Sequence, residues 1–565
     1  MSHGAAIARA SAVFCRGDLL DAVQRARLFS DSKHFVDMPM RAEPEAILAA
    51  FEAMPLEHRG DSSRLRAFVQ EYFDEPGAEL VPYTPDDCPV EPPLKAQVAD
   101  PALHPFLEAL HGLWPTLCRK VAPKVAEAPQ RHSALPRRAP VVLPGGRFRE
   151  TYYWDSYWIV EGLLASGMSE TARGLVQNLL DDVEAFGFVP NGGRVYYLNR
   201  SQPPLLCDMV ASVARLMDAA AAASWLPPAV RLLQKEHDYW MSDLHAVNVG
   251  SYKLNRYSAD WSSPRPESYR EDVETASGNA AVYREIATAA ESGWDFSARW
   301  THAGSRIGGV FSLRETAATR VLPVDLNAIL YRAERTLAAL TQAVETSTPL
   351  NEVEVAVASL GDSALTAPGA AALAKAAAER REAIDALMWK PAVGRWVDAW
   401  LQVDGSVADD TGDDRAPMLS DFAAPLWAGL ADAERATAAV AALQRSGLLG
   451  VGGASTTACS GTEQQWDAPN AWPPLQSMLI LGMRQLEASS GGPTLAAQLA
   501  QQWVGTCYAA WRHSGFMFEK YDSSQFGFGG GGGEYEPQVG FGWSNGVVLQ
   551  LLRDYGAELV AKENA

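Results

Sequence analysis

The feature that most constrains this chain is a regular alternation, from about residue 141 onward, between helical segments and loops rich in Gly, Pro, Asp and aromatic residues. One segment shows the i, i+3, i+4, i+7 spacing of an apolar helical face in Leu326, Ile329, Leu330 and Ala333. The Ala-rich segment 365–388 is apolar over much of its surface and should be an inner or closely packed helix. Convincing alternating strands are few, so the pattern predicts an all-α fold.

About twelve helices are predicted in this region from the apolar spacing and the breaker residues. They cover residues 154–165, 169–185, 205–222, 227–244, 269–290, 323–348, 365–388, 417–428, 431–446, 471–487, 493–512 and 544–557. The aromatic, charged and glycine-rich segments fall between them, where binding and catalytic residues are usually carried. About twelve helices with such loops at their ends suit a ring of six helical hairpins.

Charge and hydropathy exclude several function classes. Lys and Arg total 48 against 68 Asp and Glu, a net charge of −20. Such a surface repels nucleic acid and anionic lipid. No apolar run is long enough to span a membrane, and residues 1–20 show no secretory signal pattern. The sequence therefore predicts no nucleic-acid partner, no membrane association and a cytoplasmic location, or a periplasmic one if a signal peptide has been removed.

Two loops combine glycine, arginine and aromatic residues. PGGRFRETYYWDSYW (144–158) places two arginines and Asp155 among aromatic side chains, and PNGGRVYYLNRSQPP (190–204) adds Asn191, Arg200 and Gln202. Aromatic faces stack on the C–H faces of a sugar, while fixed donors and acceptors bind its hydroxyl groups. The alternatives are an aromatic helix start packed in the core for the first loop and an ordinary polar turn for the second.

Two carboxylates lie among bulky aromatic residues. Asp295 stands between Trp294 and Phe296, where partial desolvation would raise its pKa and suit it to general-acid catalysis. The alternative is a helix N-cap. Glu519 stands in FMFEKYD, where Lys520 could keep it ionised, as a general base requires. The alternative there is a surface Glu–Lys pair in a β-like stretch.

Three further segments complete the candidate site. PRPESYRED carries Arg265 and Glu267, and QQWDAPNAWPPLQ (464–476) is either a carbohydrate-binding platform or a packed structural turn. The glycine run 529–533 precedes Glu534 and is no phosphate loop, because no GK[ST] follows it. No His/Cys cluster indicates a catalytic metal, and no nucleophile motif is present. Taken together, aromatic-flanked carboxylates and loop arginines point to a glycoside hydrolase that needs no metal or other cofactor.

Several of these segments resemble a known family. PGGRFRETYYWDSYW and QWDAPNAWPP are similar to the two signatures of the trehalases of glycoside hydrolase family 37, and RLFSDSKHFVDM (27–38) and GFGWSNGV (540–547) are further matches. The resemblance covers nearly the whole chain. It implies an (α/α)6 toroid that hydrolyses α,α-trehalose to two glucose molecules with inversion, as a monomer without a cofactor. It also implies one catalytic unit over residues 141–565, with a helical N-terminal extension and linker over 1–140 packed on the barrel.

The resemblance assigns roles residue by residue. It implies that Asp295 is the general acid and Glu519 the general base. Residues implied to bind substrate or to position the catalytic water are Arg147, Asn191, Arg200, Arg265 and Glu267. Residues implied to shape and contact the sugar subsites are Trp154, Asp155, Gln202, Gly293, Trp466 and Glu534.

Two alternative functions stay open at this point. One is another α/α-toroid hydrolase that acts on a different glucoside, which a substrate panel would separate. The other is a non-catalytic trehalose-binding protein. Loss of either carboxylate would have favoured that second alternative, and both Asp295 and Glu519 are present.

Overall fold

Helices make up most of the computed structural model, which describes residues 3–408 and 412–562. The helices of the first 140 residues are α1 (His3–Phe14), α2 (Asp18–Arg25), α3 (Lys33–Val36), α4 (Pro44–Ala53), α5 (Leu56–Arg59), α6 (Ser62–Tyr72), α7 (His104–Leu117) and α8 (Pro123–Glu127). Those that follow are α9 (Asp155–Ala165), α10 (Ser169–Phe186), α11 (Leu206–Ala214), α12 (Ala219–Trp240), α13 (Tyr269–Ala276), α14 (Ala281–Glu291), α15 (Val324–Thr346), α16 (Leu350–Leu360), α17 (Pro368–Leu387), α18 (Ala423–Trp427), α19 (Ala433–Arg445), α20 (Pro473–Arg484), α21 (Gly492–Ser514) and α22 (Gly542–Tyr555).

The strands are short and pair only locally. They are β1 (Leu80–Pro82), β2 (Cys118–Val121), β3 (Val141–Val142), β4 (Ala246–Val249), β5 (Tyr252–Asn255), β6 (Val321–Leu322), β7 (Trp389–Lys390), β8 (Arg395–Trp396), β9 (Ala399–Trp400), β10 (Leu449–Gly450), β11 (Gly453–Ala454), β12 (Asn470–Ala471) and β13 (Tyr521–Asp522). β1, β2 and β3 form an antiparallel sheet, and the others form antiparallel pairs. The β12–β13 pair sets Ala471 opposite Tyr521 and so fixes the loop of Glu519 against the 464–476 loop.

Six helices form a closed inner ring, in which each helix packs against the next and the last against the first. In ring order they are α9, α11, α15, α18, α20 and α22. An outer helix precedes each inner one along the chain: α7, α10, α12, α17, α19 and α21. Each outer helix packs against at least one neighbour in this assembly. The predicted (α/α)6 toroid is therefore confirmed.

Two neighbouring inner helices, α9 and α22, are buried on almost every face. Every residue of α9 except Leu164 is buried, and α22 is buried over Gly542–Leu552. α9 and α22 approach closely because each has a glycine at the crossing. A Cβ added at Gly162 would lie 2.6 Å from the Cα of Gly546. No amphipathic stripe is needed in such helices, since they expose no face to water.

Three predicted helix boundaries differ from the structure. The segment predicted as one helix over 269–290 is two helices, α13 and α14, because the backbone at Ser277 and Gly278 is left-handed. The predicted break between 222 and 227 lies earlier, where Asp218 caps the start of α12 and accepts a hydrogen bond from the Ala221 N–H. Helix α16 has no counterpart among the predicted helices.

A second hydrophobic core lies under the N-terminal extension. It joins α1, α2, α4 and α6 to Tyr152, Tyr196 and Tyr197, which follow the glycines of the two predicted sugar-binding loops. Helix α7 belongs instead to the main core and packs on α22. In the part of the chain that the structure describes, no helix combines the length and the apolar character that a membrane span requires.

The close contact of α9 and α22 gives a stability prediction. Gly162→Ala should lower the free energy of unfolding by about 1–3 kcal/mol, because the new methyl group overlaps Gly546 and Trp114. Chemical denaturation measures the change. Gly112→Ala, at an exposed site in α7 with nothing within 4 Å, is the matched control and should stabilise by about 0.5–1 kcal/mol. Equal effects of the two substitutions would contradict this account of the packing.

Candidate active site

The candidate active site is a cavity at the end of the ring where inner helices begin. Asp155 starts α9, Gln202 shortly precedes α11, and Trp472 and Phe541 are the residues just before α20 and α22. The cavity is small, with about 80 Å³ open to the centre of a water-sized sphere. Helix N-termini carry partial positive charge, which favours carboxylates at this end of the ring.

Every residue that the sequence assigns to the site lines this one cavity. They are Arg147, Trp154, Asp155, Asn191, Arg200, Gln202, Arg265, Glu267, Gly293, Asp295, Trp466, Glu519 and Glu534. The cavity wall also includes Phe148, Tyr152, Tyr197, Ser268, Ala290, Gln465, Trp472, Tyr535, Phe541 and Trp543, to which sequence analysis gave no subsite role. Most of these additional residues are aromatic neighbours of assigned ones, a signal that could have found them.

Asp295 is partly buried and lies in an environment that favours its protonated form. Burial raises the pKa of its carboxyl to about 7, with a further contribution from the negative charge of Glu534. The positive charges of Arg265 and Arg200 oppose that rise without cancelling it. Asp295 is not a helix N-cap. The cap of the following turn is Ser297, whose hydroxyl accepts the Arg299 N–H at 3.1 Å.

The 464–476 loop supports the loop that carries Asp295 through hydrogen bonds. The Trp466 N–H donates to the Phe296 carbonyl at 3.1 Å. Asp467 is fully buried and accepts hydrogen bonds from the Ser297 hydroxyl at 2.7 Å and the Ala298 N–H at 2.9 Å. It also accepts from two threonine hydroxyls of its own region. The loop therefore holds the backbone that follows Asp295, from Phe296 to Ala298, in place.

Glu519 is also buried, and a hydrogen-bond donor contacts each of its two carboxylate oxygens. The Tyr535 hydroxyl donates to Oε1 at 2.7 Å, and the Gln538 N–H donates to Oε2 at 3.1 Å. Burial raises the pKa of Glu519, while Lys520, these two hydrogen bonds and Arg147 lower it. Hydrogen bonds to the charged form favour ionisation, as a general base needs.

Lys520 does not form the ion pair with Glu519 that the sequence suggested. Its ammonium group donates to Gln465 Oε1 at 2.9 Å and to the Gly532 carbonyl at 3.0 Å. Lys520 and Glu519 are both buried, so a surface Glu–Lys pair is also wrong. The positive charge of Lys520 nevertheless lowers the pKa of Glu519 without direct contact.

Each arginine of the cavity is held by a carboxylate. Arg147 pairs with Asp31 at 2.8 Å, Arg200 with Glu267 at 2.7 Å, and Arg265 with Asp272 at 2.6 Å. Arg200 also donates to Asn191 at 2.7 Å, and Arg265 also contacts Glu534 at 3.1 Å. Charge-assisted pairs of this kind fix the orientation of a guanidinium group. The charge of Arg147 acts on Glu519, and the charges of Arg200 and Arg265 act on Asp295.

Tryptophans form one wall of the cavity. Trp466 and Trp472 stack with ring centroids 4.0 Å apart and planes 1° apart, and Trp294 stacks on Trp466 at 5.4 Å. Gly293 allows Trp154 to complete this wall. Its φ is +78°, and an added Cβ would lie 2.7 Å from the Trp154 ring. The 464–476 loop is therefore both a packed turn and part of the cavity surface.

A closed (α/α)6 ring with two differently tuned carboxyl groups in an aromatic cavity defines a glycoside hydrolase site. The comparisons with known proteins agree. The profile of the trehalase family matches residues 27–556, and the chain belongs to that family. It is 37% identical over 563 residues to the trehalase of Homo sapiens, which covers 98% of this chain and 90% of that protein. It is 39% identical over 561 residues to the trehalase of Oryctolagus cuniculus, which covers 97% and 91%.

A solved structure supports the fold independently. The neutral trehalase of Saccharomyces cerevisiae superposes with a TM-score of 0.56 over 73% of each chain, at 24% sequence identity. The chain described here is thus an enzyme, a glycosidase of the trehalase family with the toroid fold.

The hydrogen bonds between Asp467 and the Asp295 loop give a second prediction. Asp467→Ala should lower the free energy of unfolding by about 1–3 kcal/mol, since buried donors at Ser297 and Ala298 lose their acceptor. Activity should fall as well, because the Asp295 loop loses its support. Thermal unfolding and steady-state kinetics measure the two effects. Asp61→Ala removes an exposed carboxylate that only caps α6, and should reduce stability without changing activity. An Asp467→Ala enzyme with full activity would show that Asp467 does not support the Asp295 loop in catalysis.

Proposed function

We propose that this trehalase-family enzyme hydrolyses α,α-trehalose to two glucose molecules by inversion, with Asp295 as general acid and Glu519 as general base. The observation that carries the proposal is the gathering of both carboxyl groups in one cavity, in environments that separate their protonation states. Inverting glycosidases need this combination of one protonated and one ionised carboxyl group.

Asp295 supplies the proton in this mechanism. With a pKa of about 7 it holds its proton in mildly acidic and neutral solution. It donates that proton to the oxygen that links the two glucose units, as the bond to the anomeric carbon breaks. Trp294 and Phe296 limit water around it, which sustains the raised pKa.

Glu519 activates the water. As a carboxylate it accepts a proton from a water molecule that attacks the anomeric carbon from the face opposite the departing oxygen. The Tyr535 and Gln538 hydrogen bonds fix its orientation and leave the remaining lone pairs for the water. Burial raises the pKa of the neighbouring Asp155 carboxyl well above its usual value, so Asp155 contacts the sugar as a neutral hydrogen-bonding group.

The remaining assigned residues bind the two sugars or position the water. Arg147, Asn191, Arg200, Arg265 and Glu267 supply fixed hydrogen-bonding groups, and this role is supported by their position on the cavity wall. Trp154, Trp466 and Gly293 shape the apolar wall, and Asp155, Gln202 and Glu534 supply further polar contacts. We propose no cofactor, since the mechanism needs only these side chains and water.

We further propose a monomer with residues 1–140 as a helical extension and linker and 141–565 as the catalytic unit. The complete cavity within one chain supports the monomer, and the separate core under the extension supports the division. Helix α7 is then the contribution of the N-terminal part to the outer ring. A cytoplasmic location agrees with six unpaired cysteines, because free thiols persist in reducing compartments. A periplasmic location is the alternative if a signal peptide has been removed.

The role of the two carboxyl groups can be tested by isosteric substitution. Asp295→Asn and Glu519→Gln should each lower kcat on trehalose by at least about 10²-fold, because each removes one proton-transfer step. Circular dichroism should show an intact fold. Glu536→Gln, in the same loop as Glu534 but outside the cavity wall, is the matched control and should keep wild-type kinetics. Normal turnover of either carboxyl variant, or cleavage of other α-glucosides in preference to trehalose, would refute the proposal.

The pH dependence of kcat/KM gives a further prediction. Because Asp295 must be protonated, kcat/KM should fall as pH rises above about 7, the pKa of its carboxyl. Because Glu519 must be ionised and its pKa is raised, the acidic limb should lie above pH 4.5. Glu534→Gln removes a charge that raises the pKa of Asp295, so it should move the basic limb to lower pH. A basic limb that moved to higher pH in this variant would contradict the assignment of Asp295.

A further inference from the structure

An ion pair joins the N-terminal extension to an arginine of the catalytic cavity. Asp31 Oδ2 accepts from Arg147 Nε at 2.8 Å, and Asp31 Oδ1 accepts from Arg147 Nη2 at 2.8 Å. This parallel pair fixes the plane of the guanidinium group as well as its position. The pKa of Asp31 is lowered overall: burial raises it, but Arg147 and Lys33 together lower it more, so the carboxylate is ionised in neutral solution.

Arg147 connects this contact to the general base. Its guanidinium carbon lies 4.5 Å from the centroid of the Tyr535 ring, and the Tyr535 hydroxyl donates to Glu519 at 2.7 Å. The Arg147 backbone N–H donates to the Gln538 side chain, and the Gln538 N–H donates to Glu519. The position of Arg147 is therefore coupled to both groups that orient the Glu519 carboxylate.

A buried network of charges fixes Asp31 relative to this loop. Two residues after Asp31, Lys33 donates to Asp37 at 2.6 Å and to Glu150 at 2.8 Å. Arg194 contacts Glu150 at 2.7 Å and Glu79 at 2.9 Å. The side chains of Lys33, Asp37, Glu79, Glu150 and Arg194 are all at most 2% exposed. Charges buried this deeply keep their partners, because an unpaired one would be strongly destabilising.

From this geometry we infer that Asp31 of the N-terminal extension is a positioning residue for the reaction. It sets the orientation of Arg147 on the Glu519 side of the cavity, and the Lys33–Glu150 network holds it there. The extension is then part of the catalytic apparatus rather than a separate appendage. The inference rests on the proposed function, since it concerns the water-activating side of the same site.

Asp31→Asn tests the inference directly. Asparagine keeps the acceptor for the Lys33 N–H, which Asp31 Oδ1 binds at 2.9 Å, so the start of α3 is preserved. Only the charged, two-point contact with Arg147 is lost. We expect kcat/KM on trehalose to fall by about 10- to 100-fold, the cost of a small misplacement in a catalytic site. Asp31→Glu keeps the charge and should recover most of this loss.

A matched control lies in the same extension. Glu43 is 37% exposed and pairs with Arg131 at 2.6 Å and Arg9 at 2.5 Å, whereas Asp31 is 35% exposed. None of these three control residues lines the cavity. Glu43→Gln should leave kcat/KM within about twofold of wild type, because neither arginine that it pairs with lines the cavity. Thermal unfolding of both variants shows whether either substitution affects the fold.

A double-mutant cycle separates positioning from general support. In an Arg147→Gln protein, Asp31→Asn should change kcat/KM by less than about twofold, because the residue through which it acts is gone. A loss of the same size in both proteins, or an Asp31→Asn enzyme as active as Glu43→Gln, would overturn the inference alone. A wild-type protein that fails to cleave trehalose would overturn the proposed function and, with it, this inference.

Discussion

Burial of charge around one small cavity is the constraint on which the rest of the site depends. A carboxyl group removed from water holds its proton unless donors compensate it, and the two carboxyl groups differ in that compensation. Glu519 receives hydrogen bonds on both oxygens, whereas Asp295 faces the negative charge of Glu534. Each arginine of the cavity is paired with a carboxylate of its own, which moderates its effect on the two carboxyl groups. Acid and base chemistry can therefore coexist near neutral pH.

The closed ring of helices assembles the site from separate segments of the chain. Residues far apart in sequence meet because the inner helices begin at the same end of the toroid, and the loops that precede them converge there. Two sets of buried polar contacts then make the site rigid. Asp467 joins the 464–476 loop to the Asp295 loop through hydrogen bonds, and the Lys33–Glu150 network joins the extension to the first arginine-rich loop. Trp294 and Trp472 each stack on Trp466, with ring centroids 5.4 Å and 4.0 Å from that of Trp466.

Much of this was predictable from sequence, and the failures have physical reasons. Periodicity and breaker residues indicated most of the helices, and long loop motifs marked the residues that line the cavity. The partner Asp31 was missed because an ion pair between distant segments leaves no local pattern. Asp272 was not predicted although it stands in the PRPESYRED segment, only seven residues after Arg265. Lys520 favours the ionised form of Glu519 as expected, but its ammonium group binds Gln465 and Gly532 rather than Glu519, and adjacency in sequence does not reveal such contacts. The break at Ser277 follows from backbone conformation, which composition does not reveal.

The most direct test of the mechanism is the anomeric form of the first products. Trehalose joins two α-linked glucose units, so attack by water at one anomeric carbon with inversion releases one β-glucose and one α-glucose. Proton NMR of the purified enzyme with trehalose, recorded before mutarotation, should show equal initial amounts of the two anomers. If only α-glucose formed at first, the configuration would be retained, and a mechanism with Asp295 as acid and Glu519 as the base for water would be wrong.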